Sequence, residues 1–261
     1  IRLNTITTVF ACFLGSISGD CQPPVKAIDR SEQVGGSMKT AAIGVAAGRG
    51  TRAGGGTPKQ WRSLLGRPVA AHSSEAFTSH PDIAQVILVI HLDDRDLVAS
   101  ASKKDVQTVT GGATRSAAVR AGLEAVHSSC DTVLIHDAAR PCVSKATIDG
   151  VLSALTAQNA AAPAVAVVDA LWTGVDGFVA GTQDRAGLFR AQPPQGFALD
   201  LILDAHARFP DGADDDVGLA RRAGHGVAIT AGDEDNLKIT LPEDFARAER
   251  ILRARDGHQT G

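Results

Sequence analysis

Residues 41–52 read AAIGVAAGRGTR, an apolar run that passes directly into a glycine-rich loop. The run Ala41–Ala46 is typical of a buried strand, and the loop continues through GGGTP at 54–58. Successive glycines let backbone N–H groups turn toward a phosphate chain, and Arg52 and Lys59 add positive charge. The stretch favours a phosphate-binding loop after a first strand, although glycine and charge alone are equally typical of a solvated surface loop.

Two better-known glycine loops do not fit this context. The spacing Gly48-x-Gly50-x-x-Ala53 matches a dinucleotide-binding loop, which needs a helix that begins inside the glycines and an acidic residue about twenty positions later. Here the next strand-like run begins only at Ile83. No Gly-Lys-Ser/Thr triplet follows at the spacing of a P-loop. The loop context therefore disfavours an NAD-dependent oxidoreductase.

Beyond Met38, short apolar runs alternate with amphipathic ones. The predicted strands are Ala41–Ala46, Ile83–Ile90, Val106–Val109, Thr132–His136, Ala162–Val168, Val227–Thr230 and Asn236–Ile239. The predicted helices are Pro68–Ser79, Asp94–Lys103, Thr114–Ser128, Lys145–Gln158, Leu199–Ala207, Asp215–Ala223 and Pro242–Arg253. Such alternation predicts an α/β fold with a mostly parallel sheet covered by helices on both faces. The glycine-rich segment 169–194 breaks the rhythm and predicts a protruding β-hairpin, or arm.

Size and composition limit the classes of function. The 261 residues suffice for one large domain, which we expect at residues 38–255, followed by a tail at 256–261. A net charge of −3 and the absence of tyrosine weigh against nucleic-acid binding. The four cysteines form no CxxC pair and do not combine with histidines at zinc-ligand spacing. These features predict a reduced cytoplasmic protein with inert thiols.

The first 37 residues differ from the rest. The apolar run Thr5–Ser18 follows a single Arg2 and superficially resembles a secretory signal, but it is too short to span a bilayer. Met38, the only methionine, immediately precedes the first strand. We therefore expect residues 1–37 to be a non-native or disordered extension ahead of the natural start, in preference to a signal peptide. No membrane partner is expected.

Several motifs follow one another in a fixed order. They are AAGRGTR at 46–52 with PKQ at 58–60, GGATR at 111–115, VLIHDAARP at 133–141, DRAGL at 184–188, PQGF at 194–197 and DNLKITLPED at 235–244. The combination resembles the 2-C-methyl-D-erythritol 4-phosphate cytidylyltransferase family from about Met38 to about Arg253. The segments ALWTG at 170–174 and FRAQ at 189–192 resemble the versions fused to a 2,4-cyclodiphosphate synthase domain, which these 261 residues do not include.

The resemblance implies a Rossmann-like nucleotidyltransferase fold. It also implies transfer of a cytidylyl group from CTP to 2-C-methyl-D-erythritol 4-phosphate, with release of pyrophosphate, in non-mevalonate isoprenoid biosynthesis. The attacking phosphate is already ionised at pH 7, so the reaction needs fixed cations rather than a base. In the family pattern, Arg52 and Lys59 stabilise the transition state. Arg185 and Lys238 position the substrate phosphate, and Arg185 reaches from the arm across a two-fold homodimer.

Further residues match family positions for nucleotide, substrate and metal. The nucleotide-binding set is Ala46, Ala47, Gly48, Gly50, Gly112, Arg115, Ala138 and Ala139, and the substrate-binding set is Asp137, Arg140, Arg185 and Lys238. Asp137 follows an apolar strand, at the carboxyl end where α/β sheets place ligands. The resemblance implies that Asp137 binds Mg²⁺, with Asp235 as a possible second ligand. A cap or turn role is the alternative for both carboxylates.

The sequence departs from the family pattern at four hydroxyl positions, which are Ala118, Ala170, Pro193 and Asp214. Ser116 lies two positions before Ala118 on a predicted helix, which points it elsewhere. We expect weaker substrate binding with the cationic set complete. A nucleotidyltransferase for another phosphorylated acceptor and a non-catalytic dimeric remnant stay open as alternatives. Two Asp-x-His triplets, at 204–206 and 256–258, are attributed to chance.

Overall fold

The structure, a computed structural model, describes residues 38–48, 56–98 and 105–258 of the chain. The predictions for residues 1–37, for Gly50 and Arg52, for the helix beyond Val98 and for the last three residues of the tail lie outside these ranges. Within the described ranges, no helix combines the length and the apolar character that crossing a bilayer requires.

Twelve strands and seven α-helices make up the described part of the chain. The strands are β1 (Thr40–Val45), β2 (Ser63–Leu64), β3 (Arg67–Pro68), β4 (Ile83–Ile90), β5 (Val106–Thr110), β6 (Thr132–Asp137), β7 (Ala160–Ala166), β8 (Leu171–Val175), β9 (Phe178–Gln183), β10 (Phe189–Ala191), β11 (Gln195–Ala198) and β12 (Ala228–Ala231). The helices are α1 (Val69–Thr78), α2 (Arg95–Val98), α3 (Arg115–Glu124), α4 (Lys145–Leu155), α5 (Leu199–Arg208), α6 (Asp216–Arg222) and α7 (Glu243–His258). Lys59–Trp61 and Leu92–Asp94 form short 3-10 helices.

Four strands at one end of the main sheet run parallel, in the order β6-β1-β4-β5. β4 reads IAQVILVI, and its last five residues are buried, which is typical of a strand covered on both faces. The carboxyl ends of parallel strands meet at one edge of a sheet. The segments that follow Val45, Ile90, Thr110 and Asp137 therefore converge, and the predicted α/β sheet is confirmed.

Antiparallel pairing enters at the other end of the main sheet. β11 lies between β6 and β7 and runs antiparallel to both. β7 also pairs with β10, antiparallel, and with β12, parallel. This arrangement sets Gln195, the first residue of β11, beside Ile135 of β6. The sequence did not predict β10 and β11, because strands of three and four residues are too short to show a hydrophobic period.

Helices cover both faces of the sheet. On one face, α1 and α4 pack against buried residues that include Ala42 and Leu88. On the other face, α3, α5 and α6 pack against buried residues that include Ile43 and Ile87. The switch from Ala42 to Ile43 is the two-residue alternation of a strand, so successive side chains of β1 enter different layers. The prediction of helices on both faces is confirmed.

The segment predicted as an arm contains a two-stranded hairpin. β8 and β9 pair with each other antiparallel, outside the main sheet. The turn between them has positive φ at Asp176 (50°) and Gly177 (83°), the combination of a hairpin turn that matches strand twist. Apolar side chains stay exposed on the hairpin, with Trp172 at 68% and Phe178 at 80% exposure. The hairpin predicted in this segment is therefore present, and it packs into none of the apolar clusters that the described residues form.

One predicted strand is wrong. Asn236–Ile239 forms no ladder, and the backbone N–H of Ile239 donates a single hydrogen bond to the carbonyl of Ala139 at 2.9 Å. Ile239 is buried and Leu237 packs beside it against the cluster that α7 completes. The alternating apolar residues therefore pack a loop beneath a helix. Their two-residue period is the same as that of a strand, so the sequence pattern does not distinguish the two structures.

The ends of several elements also differ from the predictions. β7 begins two residues early, because Ala160 and Ala161 pair with Phe197 and Gly196 of β11, and this pairing overrides their weak strand propensity. α3 and α4 end three or four residues early, a typical error at helix termini. α7 extends to His258, so the segment expected as a tail begins as helix. The side chains of Thr114 and Ser144 cap α3 and α4 by accepting from the backbone N–H groups of Ala117 and Thr147.

Candidate active site

A cavity of about 370 Å³ opens at the carboxyl edge of the parallel strands. The segments that line it follow β1, β4, β5 and β6, together with the 3-10 helix that contains Lys59 and the loop that contains Lys238. The lining residues are Val45, Ala46, Ala47, Gly48, Lys59, Gln60, His91, Gly112, Ala113, Thr114, Arg115, Ala118, Asp137, Ala139 and Lys238. Among the described residues, three cationic side chains thus share the cavity with one carboxylate, a balance suited to an anionic ligand.

Gln60 fixes the start of the glycine-rich loop. Its Nε2 donates to the carbonyl of Ala46 at 2.6 Å and to the carbonyl of Gly48 at 2.9 Å. Gln60 is 3% exposed, so these two hydrogen bonds lie in a protected position. Lys59 precedes it on the 3-10 helix, and both residues line the cavity. The amide of Gln60 therefore connects the backbone that follows β1 to the element that bears Lys59.

The turn from β5 to α3 brings Gly112 and Arg115 to the cavity. A Cβ on Gly112 would lie 2.5 Å from the Cβ of Ala117, so the chain can approach α3 this closely only with glycine. Thr114 caps α3 by accepting the N–H of Ala117 at 3.1 Å. Arg115 occupies the first helical turn, where its side chain is about one-third exposed. The helix start thereby aims a guanidinium at the cavity.

Asp137 is the last residue of β6 and the carboxylate of the cavity. Its Oδ2 lies 2.9 Å from Lys238 Nζ and 3.6 Å from Arg140 Nε. Burial raises the pKa of the Asp137 carboxyl, but Lys238 above all, with Arg115 and Arg140, outweighs burial and lowers the pKa to about 2. Asp137 is therefore ionised at every physiological pH.

A set of buried contacts brings Lys238 to Asp137. Asn236 is fully buried, and its Nδ2 donates to the carbonyl of Pro193 at 2.7 Å. The carbonyl of Asn236 in turn accepts from Arg140 Nη1 at 2.6 Å. Together with the bond from Ile239 N to the carbonyl of Ala139, these contacts join the loop of Lys238 to the segment after β6. The asparagine therefore positions the lysine two residues later.

The segment after β6 is itself fixed. The N–H of Ala138 donates to the carbonyl of Val45 at 3.1 Å, and its carbonyl accepts from Ser73 Oγ at 2.8 Å. Ala138 is fully buried and does not line the cavity, whereas Ala139 does. Arg140 lies behind Asp137, and its contacts are with Asp137 and the Asn236 carbonyl. Arg140 thus does not line the cavity itself but contacts Asp137, which does.

Ala138 and Arg140 lie behind the cavity, and two further predicted site residues, Arg185 and Asp235, lie away from it. Arg185 is exposed at the base of the hairpin and donates a hydrogen bond to the carbonyl of Val168. Asp235 lines a different cavity of about 660 Å³, and its Oδ2 lies 4.0 Å from Arg255. Among the described residues, no group of three or more His, Cys, Asp or Glu side chains could hold a metal ion. Asp137 and Asp235 line different cavities, so this geometry does not bring the two carboxylates together.

The sequence analysis gave no role to some residues that line or support the site. Gln60 was quoted within a motif without a role, and His91 was not noticed. Asp216 and His206 form a buried pair behind Arg115. A lone histidine within a helix carries no sequence signal of its partner, since the partner comes from another element. Ser116 does not line the cavity, as expected, whereas Ala118 does.

Comparisons with known proteins agree with this geometry. A family model described as 2-C-methyl-D-erythritol 4-phosphate cytidylyltransferase matches residues 40–254. A protein of that name from Roseobacter denitrificans is 62% identical over 221 residues, which are 85% of this chain and 100% of that protein. A bifunctional enzyme IspD/IspF from Ruegeria pomeroyi is 57% identical over 217 residues, which are 83% of this chain and 57% of the length of that protein.

Solved structures are similar in fold. The 4-diphosphocytidyl-2C-methyl-D-erythritol synthase of Anaerococcus prevotii superposes with a TM-score of 0.72 at 26% identity, over 84% of this chain and 100% of that one. The family match covers most of the chain and includes every segment that lines the cavity. The fold class predicted from the sequence is thereby confirmed. This chain belongs to the 2-C-methyl-D-erythritol 4-phosphate cytidylyltransferase family.

Proposed function

We propose that this chain transfers a cytidylyl group from CTP to 2-C-methyl-D-erythritol 4-phosphate, with release of pyrophosphate. The observation that supports this most directly is that Lys59, Arg115 and Lys238 line the same cavity as the ionised Asp137. Family membership supplies the identity of both substrates. A cationic cavity at the carboxyl edge of a parallel sheet is where α/β proteins bind nucleotides. The reaction is expected in the cytoplasm, where CTP is available.

The nucleotide-binding residues are proposed to be those that line the end of β1 and the start of α3. Ala46, Ala47 and Gly48 line the cavity at the end of β1, and Gly112 and Arg115 line it at the start of α3. Gly50, outside the described residues, continues the same loop in the family pattern. Ala139 is proposed near the ribose because it lines the cavity, whereas the fully buried Ala138 supports it through its backbone.

The chemistry is proposed to be electrostatic. The acceptor phosphate is already an anion, so its oxygen attacks the α-phosphorus without loss of a proton. Negative charge then accumulates on the departing pyrophosphate, and Lys59 is proposed to stabilise it as a mobile point charge. Arg52 is assigned to the same task by the family pattern. Lys238, with Asp137 beside it, is proposed to orient the incoming phosphate through charge and geometry.

A divalent cation, proposed to be Mg²⁺, fits the cavity through Asp137. Both contacts that the described residues make with this carboxylate go to Oδ2, and its low pKa keeps it ionised. Mg²⁺ is bound by one or two carboxylates when substrate phosphates supply further oxygens. The ion would neutralise part of the triphosphate charge. Asp235 is left out of this proposal because it lies in the other cavity.

We also propose that two copies of the chain complete the site. Arg185 does not line the cavity of its own chain, and it lies beside a hairpin that exposes Trp172, Val175 and Phe178. Contiguous exposed apolar side chains are typical of an interface. In a two-fold dimer, each hairpin would reach the cavity of the other copy, with Arg185 close to the substrate phosphate.

Pyrophosphate release tests the proposed function. The purified chain is incubated with CTP, Mg²⁺ and 2-C-methyl-D-erythritol 4-phosphate, and release is followed with a coupled assay. Control reactions replace CTP with ATP, UTP or GTP, and replace the acceptor with a sugar phosphate. Release with CTP and the methylerythritol acceptor above every control supports the proposal. Release with another acceptor only, or no release with any pair, contradicts it.

A further inference from the structure

A buried carboxylate lies directly behind Arg115. Asp216 is 2% exposed, and its Oδ2 is 2.8 Å from Arg115 Nη1. Its Oδ1 is 3.1 Å from Nε2 of His206, which is 3% exposed. The carboxylate therefore has one oxygen on a cavity residue and the other on a residue of α5 that lies outside the cavity. A buried carboxylate with both oxygens engaged has little freedom to rotate.

The backbone of Asp216 is held as firmly as its side chain. Gln195 Oε1 accepts from the N–H of Asp216 at 3.1 Å and from the N–H of Val217 at 3.3 Å. Gln195 Nε2 donates to Asp215 Oδ2 at 2.8 Å, while Asp215 Oδ1 caps α6 by accepting from Gly218 N at 2.7 Å. Since Gln195 begins β11, which pairs with β6, the network is anchored in the main sheet.

The Asp216 carboxylate determines that Nε2 of His206 acts as a hydrogen-bond donor. A carboxylate without its proton can only accept, so Nε2 of His206 donates to Asp216 Oδ1. The other ring nitrogen, Nδ1, is buried and has no hydrogen-bond partner among the described residues. Among the described residues, the hydrogen bond of this ring is therefore made by Nε2. A substitution that retains a donor at that place differs from one that retains a donor at Nδ1.

Arg115 is the member of this network that reaches the cavity. Its guanidinium is planar and has five N–H donors in a fixed fork, so fixing Nη1 also fixes the direction of the others. Burial lowers the pKa of Arg115, but Asp216 and then Asp137 outweigh burial and raise it. The guanidinium is therefore charged, and its orientation depends on Asp216.

We propose that Asp216, with its side chain fixed by His206 and its backbone by Gln195, is a positioning residue that orients Arg115 toward the triphosphate nucleotide. None of the three supporting residues lines the cavity, so each acts through Arg115. The inference rests on the proposed function only in taking a nucleotide as the ligand. Neutralising or misplacing Asp216 lets the guanidinium turn away from the cavity, which weakens nucleotide binding and leaves the acceptor side unchanged.

A pair of substitutions at His206 separates positioning from packing. Gln places its amide nitrogen where Nε2 stands, whereas Asn places its amide nitrogen where Nδ1 stands. We expect His206→Gln to keep the Kd for CTP within about twofold of the wild type, and His206→Asn to raise it at least about fivefold. Asp216→Asn, which keeps the size of the side chain, is expected to raise the Kd at least about tenfold. His127→Asn, at an exposed histidine far from the cavity, is the control.

Calorimetric titration with CTP, steady-state kinetics and thermal unfolding are measured for each variant. Support consists of a raised Kd and KM for CTP in Asp216→Asn and His206→Asn, with the KM for the acceptor within about twofold. Equal effects of Gln and Asn at His206, or losses that follow Tm alone, would overturn the inference and leave a structural role. If Asp216→Asn does not fold, the histidine pair decides.

The design also separates this inference from the proposed function. If the wild type binds CTP but releases no pyrophosphate with the methylerythritol acceptor, the proposed reaction fails, and the Kd values still decide the role of Asp216. If the wild type reacts as proposed but Asp216→Asn binds CTP like the wild type, only the inference fails. Failure of the wild type to bind CTP would overturn both.

Discussion

Lys238 Nζ lies 2.9 Å from Asp137 Oδ2, and this pair joins the loop before α7 to the end of β6. The side chain of Asp137 is 17% exposed and that of Lys238 is 45% exposed, so the pair lies at the boundary between the protein interior and solvent. Lys238 can therefore remain beside Asp137 and still present donors to an incoming phosphate. Its position is set by Asn236 and Ile239, which flank it and are both buried.

The pH dependence of stability tests the charge on Asp137. Folding lowers the pKa of this carboxyl from 3.8 to about 2, so the stabilisation is complete above about pH 4 and is lost as the pH falls toward about 2. Over this interval we expect the free energy of unfolding to fall by about 2 kcal/mol more in the wild type than in Asp137→Asn. Urea titrations across the interval measure the difference. Parallel curves for the two proteins would contradict the prediction.

Lys59→Ala is expected to lower kcat at least about a hundredfold with the fold intact. The reason is the loss of a positive charge that lines the cavity and that we propose to stabilise the departing pyrophosphate. Initial rates of pyrophosphate release give kcat, and circular dichroism with thermal unfolding reports the fold. Lys145→Ala, which removes an exposed lysine paired with Asp149, is the matched control and should retain full activity. A Lys59 variant that keeps most of its activity would refute the role.

Gln60→Glu is expected to weaken CTP binding at least about tenfold. The substitution preserves shape but replaces a donor to two carbonyls with a carboxylate, so the carbonyls of Ala46 and Gly48 lose their partner and face a negative charge. Stability should fall by about 1–3 kcal/mol. The KM for CTP and urea unfolding measure the two effects. Gln60→Met, which is similar in size and uncharged, should show a smaller increase in KM, and the reverse order would count against the explanation.

Mixed dimers test whether the arm completes the site. Arg185→Ala and Lys59→Ala each inactivate a different half of the proposed shared site. Subunits carrying one or the other are unfolded together, refolded and assayed, so that heterodimers have one intact site. We expect activity to return to about a quarter of the wild-type level for a random mixture, because half of the dimers are mixed and each has one complete site. Activity no higher than either parent would rule out a shared site.

Ala118→Ser is expected to lower the KM for CTP about fivefold. Ala118 lines the cavity at a position where the family pattern has serine, and a hydroxyl there adds a hydrogen bond of about 1 kcal/mol. Ala118 is 1% exposed, so the added oxygen must face the cavity to be satisfied. Steady-state kinetics with CTP as the varied substrate give the result. An unchanged or higher KM, with normal stability, would mean that the hydroxyl finds no ligand.

The parallel half of the fold could be predicted from the sequence, and the antiparallel half could not. β4 and β6 are continuous apolar runs bounded by polar residues, and such runs identify buried strands on local grounds. β11 has four residues, and its pairing with β6 and β7 is set by contacts distant in sequence. The segment Asn236–Ile239 shows the opposite error, since its alternating apolar residues suggested a strand where the structure has a docked loop.

The site divides in a similar way. Residues that follow a strand end, such as Ala47, Gly48 and Asp137, could be assigned because the edge of a parallel sheet collects them. Residues that act through a neighbour, such as His206, could not, since their partners come from other elements. Asp235 was assigned from its place in a motif, whereas the structure has its side chain in a different cavity.

The ribosome delivers α7 after every strand of the sheet, so the loop of Lys238 docks late in synthesis. Ile239 is buried in a cluster that includes Ala248 of α7, so this helix completes the packing beneath the loop that holds the lysine beside Asp137. A nascent chain at that stage already contains Lys59 and Arg115, which line the cavity, but Asp137 lacks its main counter-ion. The cavity therefore gains part of its positive charge only after α7, the last described element to be synthesised, has docked.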